Sequence, residues 1–316
     1  MITVVCPVYN EAGSLRELTS RIRATLDGAG VEFELLLVND GSTDESLRII
    51  RDMVKADGRV KGISLSRNFG QQAAITAGLD VARGDAVILM DADLQDSPEA
   101  LPKFVEKWKE GFEVVDAVRT GRKEGPALRL AFKMFYLVQT RLVDSHIPRD
   151  SGLFCLMDRR VVDLLKEMPE HNRYLPGMRA WVGFRQAGMP VERGRRYDDR
   201  NRVGLKGLVK LALDGIFSFS VVPLRIATMF SLAAGGVSVF VIMFVIFHKF
   251  ITGRAIPGWA STLGSTTLLG ALILFSLGLI GEYLARIYDE VKKRPLYIVR
   301  EIIENGSRSQ RPPAGE

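Results

Sequence analysis

The sequence predicts an α/β domain with a mostly parallel sheet, followed by a two-helix transmembrane hairpin. Short apolar runs of strand length alternate with segments of helical periodicity, and each apolar run ends in polar, turn-forming residues. Two long uncharged runs in the later part of the chain predict the hairpin. Because alternating strands and helices form right-handed βαβ units, the polar strand ends should meet at one edge of the sheet.

Four apolar runs begin the chain. The strands are predicted at residues 2–6, 33–38, 60–65 and 86–90. The helix after the second strand is expected to have Ser42 or Asp44 as its N-cap and to run to Met53. Open α/β sheets bind ligands at the carboxyl ends of their strands, so the loops after these four strands are the candidate site.

Two carboxylates, Asp91 and Asp93, follow the fourth strand with one alanine between them. Carboxylate oxygens are the ligands that hard divalent cations prefer, and a strand end directs them into the crevice of the sheet. An isolated pair of this kind would more often be a helix cap and a solvated turn residue. Its position after three other polar strand ends favours a metal site.

Four motifs carry a resemblance to a known family. They are VCPVYNE at residues 5–11, VNDGSTD at 38–44, SRNFG at 66–70 and MDADLQD at 90–96. In this order and spacing the chain resembles the family 2 glycosyltransferases. Within that family it is similar to the polyisoprenyl-phosphate branch, which includes dolichol-phosphate mannose synthases and bacterial bactoprenol glucosyltransferases. The resemblance covers nearly the whole chain and implies a Rossmann-like A-type glycosyltransferase domain.

The resemblance also implies an activity: inverting, metal-dependent transfer of a sugar from a nucleotide-sugar, UDP-glucose or a similar compound, to a membrane polyprenyl phosphate. It places Pro7, Tyr9, Glu11 and Asp40 around the base and ribose of the donor. Physically, Asp40 could accept from a nucleobase N–H and Glu11 from ribose hydroxyls. Without the neighbouring motifs, Tyr9 would be a core residue and Asp40 a turn former. Uracil and guanine both stay open, since each offers an N–H to a carboxylate.

A divalent cation would neutralise the diphosphate leaving group. Asp93 is expected to coordinate it directly and Asp91 to contact the ribose or a metal-bound water, and the resemblance adds Gln95 as an oxygen ligand. Mg²⁺ or Mn²⁺ suits an all-oxygen shell. From spacing alone, Gln95 could equally be an exposed residue at a helix start. Asp91, Asp93 and Arg119 are the expected catalytic residues.

A lipid monophosphate is already anionic, so cations are needed to hold it. Arg119 and Arg122 match the family's arginine-bearing segment after the fifth strand, and a guanidinium fork suits phosphate. Arg202 and Lys206 lie where the family carries basic residues near the membrane. Arg122 and Lys206 could also be solvated surface residues. The DRNR tract at residues 199–202 departs from the Gly-Glu-Ser/Thr-Lys tract of many relatives and leaves those roles open.

Two uncharged runs, at residues 226–247 and 255–281, are long enough to cross a hydrocarbon core of about 30 Å. Buried globular helices are the alternative. Basic residues flank the runs mainly on the side that holds the domain and the C-terminus, so both should be cytoplasmic and the protein should lie in the inner or plasma membrane. The expected division is a catalytic domain at 1–204, an amphipathic juxtamembrane helix at 205–224, transmembrane helices at 225–286 and a C-terminal segment at 287–316 that ends in disorder.

The net charge of +6 is concentrated before the first run, at residues 193–210. A basic segment beside a transmembrane helix favours anionic headgroups over nucleic acid as its partner. Cys6 and Cys155 are expected to be free, buried thiols, which argues against a disulfide framework or a zinc cluster. Glycines in the two apolar runs permit close helix approach. The expected partners are therefore the donor, the lipid acceptor, the membrane and further copies of the chain in a homo-oligomer, with a tetramer as one form.

Two other functions stay open at the level of sequence. A metal-dependent glycosyltransferase that acts on a saccharide or protein hydroxyl would need a carboxylate base near the donor. A membrane-anchored nucleotide-sugar sensor would need no catalysis at all. A processive polymer synthase is disfavoured, because the RAW sequence at residues 179–181 does not meet the Gln-x-x-Arg-Trp motif of those enzymes.

Overall fold

The computed structural model describes residues 1–120, 151–171, 173–192, 222–252 and 258–305. The chain forms two compact units. The first consists of Met1–Gly215 together with Pro295–Glu316, and the second is Ile216–Arg294. The C-terminal segment thus returns to the unit that the N-terminal residues build.

The first unit alternates strands and helices through most of its length. Its described elements are β1 (Ile2–Val8), α1 (Leu15–Gly28), β2 (Phe33–Asn39), α2 (Ser46–Ala56), β3 (Val60–Leu65), α3 (Gln71–Val81), β4 (Ala86–Leu89), a 3₁₀ turn (Pro98–Ala100), α4 (Leu101–Lys109), β5 (Val114–Thr120), β6 (Ser151–Asp158), α5 (Arg159–Glu167), α6 (Leu175–Trp181), β7 (Gln186–Glu192) and β8 (Val299–Ile303). The four strands predicted at the start of the chain are β1 to β4.

The strands of the described residues form one eight-stranded sheet in the order β7-β5-β6-β4-β1-β2-β3-β8. β1 pairs in parallel with β2 and β4, β2 with β3, and β5 with β7. β6 runs antiparallel to β4 and β5, and β8 runs antiparallel to β3. The predicted α/β class with a mostly parallel sheet is therefore confirmed, and its antiparallel members are β6 and β8.

The order of the strands places a crevice beside β1. From β1 the chain moves outward to β2 and β3 and then returns to the opposite side of β1 as β4. The connections after β1 and β4 consequently diverge, which makes the carboxyl ends of these two strands a topological switch point where open sheets bind ligands. Both predicted carboxylates, Asp91 and Asp93, follow β4 at this point.

Apolar side chains on both faces of the central strands hold the sheet in place. Val4 and Val5 of β1 are fully buried although they point to opposite faces, as are Leu36 and Leu37 of β2. This explains why these strands are continuous apolar runs rather than alternating ones. Cys6 and Cys155 are buried and free, as predicted.

One predicted boundary is wrong. α2 begins at Ser46 with Glu45 in the N-cap position, rather than with Ser42 or Asp44. Asp44 nevertheless accepts the Ser46 N–H at 3.0 Å and the Ala12 N–H at 3.2 Å. Its carboxylate therefore satisfies one free donor of the helix start and also ties the β1 loop to α2.

The second unit contains two long apolar helices, α7 (Val222–Thr252) and α8 (Trp259–Val291). The stretches Ala227–His248 and Gly264–Val291 have mean hydropathies of 2.4 and 2.0, with 0% of either apolar window buried in the structure. A core helix of a soluble protein would be mostly buried. Length, composition and exposure make both helices candidate membrane spans. Of the expected juxtamembrane helix, residues 205–221 lie outside the described part of the chain.

Candidate active site

A cleft of about 220 Å³ opens at the carboxyl ends of β1 to β4. Its lining residues come from the loops after all four strands: Pro7, Val8, Tyr9, Glu11, Asp40, Asn68, Gly70, Gln71, Asp91, Ala92 and Asp93. Small-molecule sites usually measure roughly 300 to 1,000 Å³. The cleft would thus hold part of a nucleotide-sized ligand, and the rest of such a ligand would extend beyond these residues.

The loops after β1 and β2 are joined by backbone-to-side-chain hydrogen bonds. Asn10 donates its N–H to the Ser42 Oγ at 3.0 Å, and its own Oδ1 accepts the Thr43 N–H at 2.8 Å. Glu11 donates its N–H to the Ser46 Oγ at 3.0 Å. Asn10 has a φ of 55°, a left-handed conformation that asparagine tolerates better than most residues. These contacts fix the backbone that carries two predicted donor-site residues, Tyr9 and Glu11.

Tyr9 is 40% exposed and lines the cleft, so it is not the core residue that its sequence context also allowed. An exposed tyrosine ring supplies a flat packing surface and a hydroxyl. Pro7, at the end of β1, lines the same cleft.

Asp40 has a structural task that the sequence did not indicate. It is 3% exposed, and its carboxylate accepts the Phe69 N–H at 2.7 Å and the Gly70 N–H at 2.9 Å. Burial raises the pKa of this carboxyl above its ordinary value. A carboxylate has about four lone-pair sites, so both hydrogen bonds leave acceptor capacity on the side that lines the cleft. Asp40 therefore ties the β2 loop to the β3 loop at the cleft wall.

The two carboxylates after β4 are oriented by different neighbours. The Gln71 Nε2 donates to the Asp91 Oδ1 at 2.6 Å, and the Gln95 N–H donates to the Asp93 Oδ1 at 3.1 Å. Between them, the carbonyl of Ala92 accepts the Ser14 Oγ hydroxyl at 2.7 Å, which anchors the loop to the start of α1. Asp93 is 6% exposed. The loop thus carries two carboxylates on a backbone that Ser14 anchors through the carbonyl of Ala92.

This arrangement fits a divalent cation whose coordination shell is completed by the bound substrate and water. Within the described ranges, no group of three or more His, Cys, Asp or Glu side chains forms a ready-made metal site. Mg²⁺ and related ions are commonly bound by one or two carboxylates, with water and substrate phosphates filling the shell. Asp91 and Asp93 line the same cleft and supply two carboxylates for such an ion.

The structure brings six of the predicted site residues to this cleft: Pro7, Tyr9, Glu11, Asp40, Asp91 and Asp93. Gln95 does not line it and contributes its backbone N–H to Asp93. Arg119 lies in β5, where its backbone is in register with Val191 of β7. The side chain of Arg119, and the residues Arg122, Arg202 and Lys206, lie outside the described part of the chain.

Sequence reasoning missed Gln71 as a site residue. It is the first residue of α3, directly after the SRNFG motif, and it both lines the cleft and contacts Asp91. Its adjacency to that motif was the available signal, because a residue that follows a polar strand end lies at the same edge of the sheet.

An open, mostly parallel sheet with an acidic cleft at its switch point defines an α/β enzyme that binds its ligand outside the carboxyl ends of the strands. Residues 3–165 match the family described as glycosyl transferase family 2. The chain belongs to this family and is a glycosyltransferase.

Full-length relatives support this assignment. The chain is 44% identical to the glycosyltransferase YkcC of Bacillus subtilis (strain 168), over 95% of this chain and 93% of the relative. It is 36% identical to a prophage bactoprenol glucosyl transferase homolog of Escherichia coli (strain K12), over 95% of this chain and 99% of the relative. It is also 36% identical to the bactoprenol glucosyl transferase of Shigella phage SfII, over 95% and 97%.

Solved structures resemble the chain more distantly. Glucosyl-3-phosphoglycerate synthase from Mycobacterium tuberculosis, crystallised with Mn²⁺, UDP-glucose and phosphoglyceric acid, is 21% identical with a TM-score of 0.47, over 69% of this chain and 77% of that one.

Proposed function

We propose that the protein transfers a sugar from a nucleotide-sugar, UDP-glucose or a similar compound, to a membrane polyprenyl phosphate with inversion at the anomeric carbon. The observation that carries the proposal is the convergence of Asp91 and Asp93 with Tyr9, Glu11 and Asp40 at one cleft. The names of the relatives support the choice of acceptor, since two of them are bactoprenol glucosyl transferases or homologues of one.

In this proposal the nucleoside part of the donor lies on the side of the cleft formed by the β1 and β2 loops. Tyr9 and Pro7 pack against the base, Glu11 accepts from ribose hydroxyls, and Asp40 accepts from a nucleobase N–H with its remaining lone pairs. The hydrogen bonds of the β1 loop to Ser42 and Ser46 support this assignment, because they keep the binding surface in shape before the donor arrives.

The diphosphate would then lie beside Asp91 and Asp93. Two carboxylates alone would repel a diphosphate, so a cation between them is required by charge. Mg²⁺ or Mn²⁺ bound there would neutralise the negative charge that develops on the leaving diphosphate. Gln71 keeps the Asp91 carboxylate in one orientation by its hydrogen bond.

The acceptor needs no general base, because a phosphate monoester is already an oxyanion at neutral pH. One phosphate oxygen attacks the anomeric carbon as the bond from that carbon to the diphosphate oxygen breaks, and the electron pair leaves with the nucleoside diphosphate. Arg119, with Arg122, Arg202 and Lys206, is proposed to hold the acceptor phosphate through charge-assisted hydrogen bonds.

The proposed location is the inner or plasma membrane, with α7 and α8 as spans and the catalytic domain in the cytoplasm. The two candidate spans and their exposed apolar surface support it. So does the basic flank of the spans on the side of the domain.

The function is tested by incubating the purified full-length protein with labelled UDP-glucose or GDP-mannose, Mg²⁺ or Mn²⁺, and undecaprenyl phosphate, and then extracting lipid. We expect label in the lipid fraction with one donor, and its release by mild acid as expected for a sugar phosphodiester. Label transferred to a saccharide or protein acceptor, with none in lipid, would contradict the proposed acceptor.

A further inference from the structure

The last strand of the sheet is made after the second apolar helix. β8 pairs antiparallel with β3, with Ile303 opposite Gly62 and Val299 opposite Leu65. Because the strands are antiparallel, the first residues of β8 lie at the carboxyl end of β3. The C-terminal segment therefore enters the sheet at the edge that carries the cleft.

The donor-site loop, residues 66–70, connects β3 to α3, and the two residues before β8 contact the start of this loop and the last turn of α3. The Ser66 N–H, where the loop leaves β3, donates to the carbonyl of Ile298 at 2.9 Å. The hydroxyl of Tyr297 donates to the Asp80 Oδ2 on α3, the helix into which the loop leads. One short segment thus contacts both the residue at which the loop leaves β3 and the helix that follows the loop.

This loop positions groups in the cleft. Phe69 and Gly70 donate their N–H groups to Asp40, and Gln71, the next residue, donates to Asp91. Gly70 has a φ of 99°, a conformation that other residues rarely adopt. A shift of Ser66 or of α3, whose first residue is Gln71, would therefore reach Asp40 and Asp91.

The Tyr297 contact is formed by a partly buried tyrosine that keeps its proton. Burial and the hydrogen bond to Asp80 raise the pKa of Tyr297 above its ordinary value, so the hydroxyl stays a donor at neutral pH. Arg173 lies near the pair, and its positive charge interacts favourably with Asp80. The negative charge of Asp80 is thus balanced without removing its bond to Tyr297.

We propose that Tyr297 and Ile298 are positioning residues for the donor site, which fix the loop at residues 66–70 and through it Asp40 and Asp91. The inference rests on the proposed function for the identity of the donor, although its first test does not. It makes a segment that follows the candidate membrane spans part of the support of the active site, while none of its residues touches the donor.

The first experiment compares Tyr297→Phe with Glu301→Ala by hydrogen exchange on the purified full-length protein. Glu301 lies on the same strand and loses an equivalent polar contact, to Arg51 of α2 at 2.5 Å, which is remote from the loop. We expect faster deuterium uptake in peptides covering residues 66–71 for Tyr297→Phe alone. Equal uptake in both variants, whether raised or unchanged, would overturn the proposal, because the strand would then serve only general stability.

The second experiment measures the donor KM and kcat with UDP-glucose, or the Kd of UDP with Mn²⁺ by calorimetry. Tyr297→Phe should raise the donor KM or the Kd of UDP by about three- to tenfold. The reason is that part of the free energy of one hydrogen bond to a charged group is transmitted to the donor site. The acceptor KM should not change. Loss of kcat with an unchanged donor KM would overturn the assignment.

Substitution of the partner residue supplies a rescue test. Asp80→Asn keeps an oxygen acceptor for the Tyr297 hydroxyl and should behave like the unsubstituted protein, whereas Asp80→Ala should resemble Tyr297→Phe. Asp80→Ala combined with Tyr297→Phe should add no further effect, because both remove the same contact. Additive effects would show that the residues act separately and would contradict the proposal.

Failure of the unsubstituted protein to bind UDP would count against the proposed donor and leave the hydrogen-exchange result to decide the inference.

Discussion

Gly41 and Arg67 approach each other so closely that a Cβ on Gly41 would lie 2.4 Å from the carbonyl carbon of Arg67. Gly41 also has a φ of 63°. The loops after β2 and β3 are therefore packed backbone to backbone, beside the hydrogen bonds that Asp40 makes to Phe69 and Gly70. A side chain at position 41 would push the two loops apart.

Gly41→Ala is expected to lower both stability and donor binding. The left-handed conformation alone costs a non-glycine residue about 1 to 2 kcal/mol, and the clash with backbone adds to it. Gly30→Ala is the matched control, because Gly30 has the same φ of 63° but nothing within 4 Å of its Cβ. Thermal unfolding with and without UDP measures both effects. Equal losses in the two variants would show that the contact with Arg67 contributes nothing.

Asp93→Asn is expected to lower sugar transfer by about 10²- to 10³-fold with the fold intact, because an amide is a poorer ligand than a carboxylate for a hard cation. Excess EDTA should have the same effect. Asp163→Asn, at an exposed position on α5, is the control and should keep full activity. Undiminished turnover in EDTA would count decisively against the metal site.

Arg119→Ala is expected to reduce the rate of sugar transfer to polyprenyl phosphate far more than it reduces the affinity for the donor. A lost guanidinium contact to a phosphate dianion costs about 1.5 to 3 kcal/mol. Donor affinity by calorimetry, measured beside lipid-phosphate turnover, separates the two effects, and Arg48→Ala on the surface of α2 is the control. Should Arg119→Ala abolish donor binding instead, the arginine belongs to the diphosphate.

A reporter inserted at position 256, between α7 and α8, is expected to lie outside the cytoplasm, with reporters at both termini inside. β8 and β3 belong to one sheet although both helices lie between them in sequence, so two membrane crossings would bring the chain back to the side of its catalytic domain. Protease protection of the loop in right-side-out vesicles would contradict this topology.

Both cysteines are expected to resist alkylation in the native protein. Burial raises the pKa of each thiol above its ordinary range, that of Cys155 to about 12, so neither forms the reactive thiolate at pH 8. Maleimide labelling followed by mass spectrometry should find both unmodified until the protein is unfolded in detergent. Labelling of Cys6 in the native state would show that β1 opens.

β1, β2 and β4 could be predicted because burial on both faces makes them largely apolar runs, and β3 could be predicted from Val60, Ile63 and Leu65. β8 gives no such signal: its sequence VREII is short, and charged Arg300 and Glu301 interrupt it. Its pairing with β3 depends on residues more than two hundred positions away in the chain, which no local pattern records.

The site shows the same division. The four motifs contain all the residues that line the cleft except Gln71, since carboxylates and turn residues at strand ends are visible in sequence. The contacts of Asp40 with Phe69 and Gly70, and of Gln71 with Asp91, join separate loops and could not be read from spacing. Leu94 adopts a φ of 61° without the glycine that would have indicated it.

The position of β8 in the chain also sets an order of events during synthesis. Domains fold from the N-terminus as the chain emerges, so β1 to β4 can assemble while β3 still has an open edge. Residues 297–303 emerge only after both apolar helices have been made. The contacts of Ile298 with Ser66 and of Tyr297 with Asp80 therefore form late, and a chain that stops before residue 297 keeps every residue that lines the cleft but lacks both contacts. Formation of these contacts thus requires that both apolar helices have already been translated.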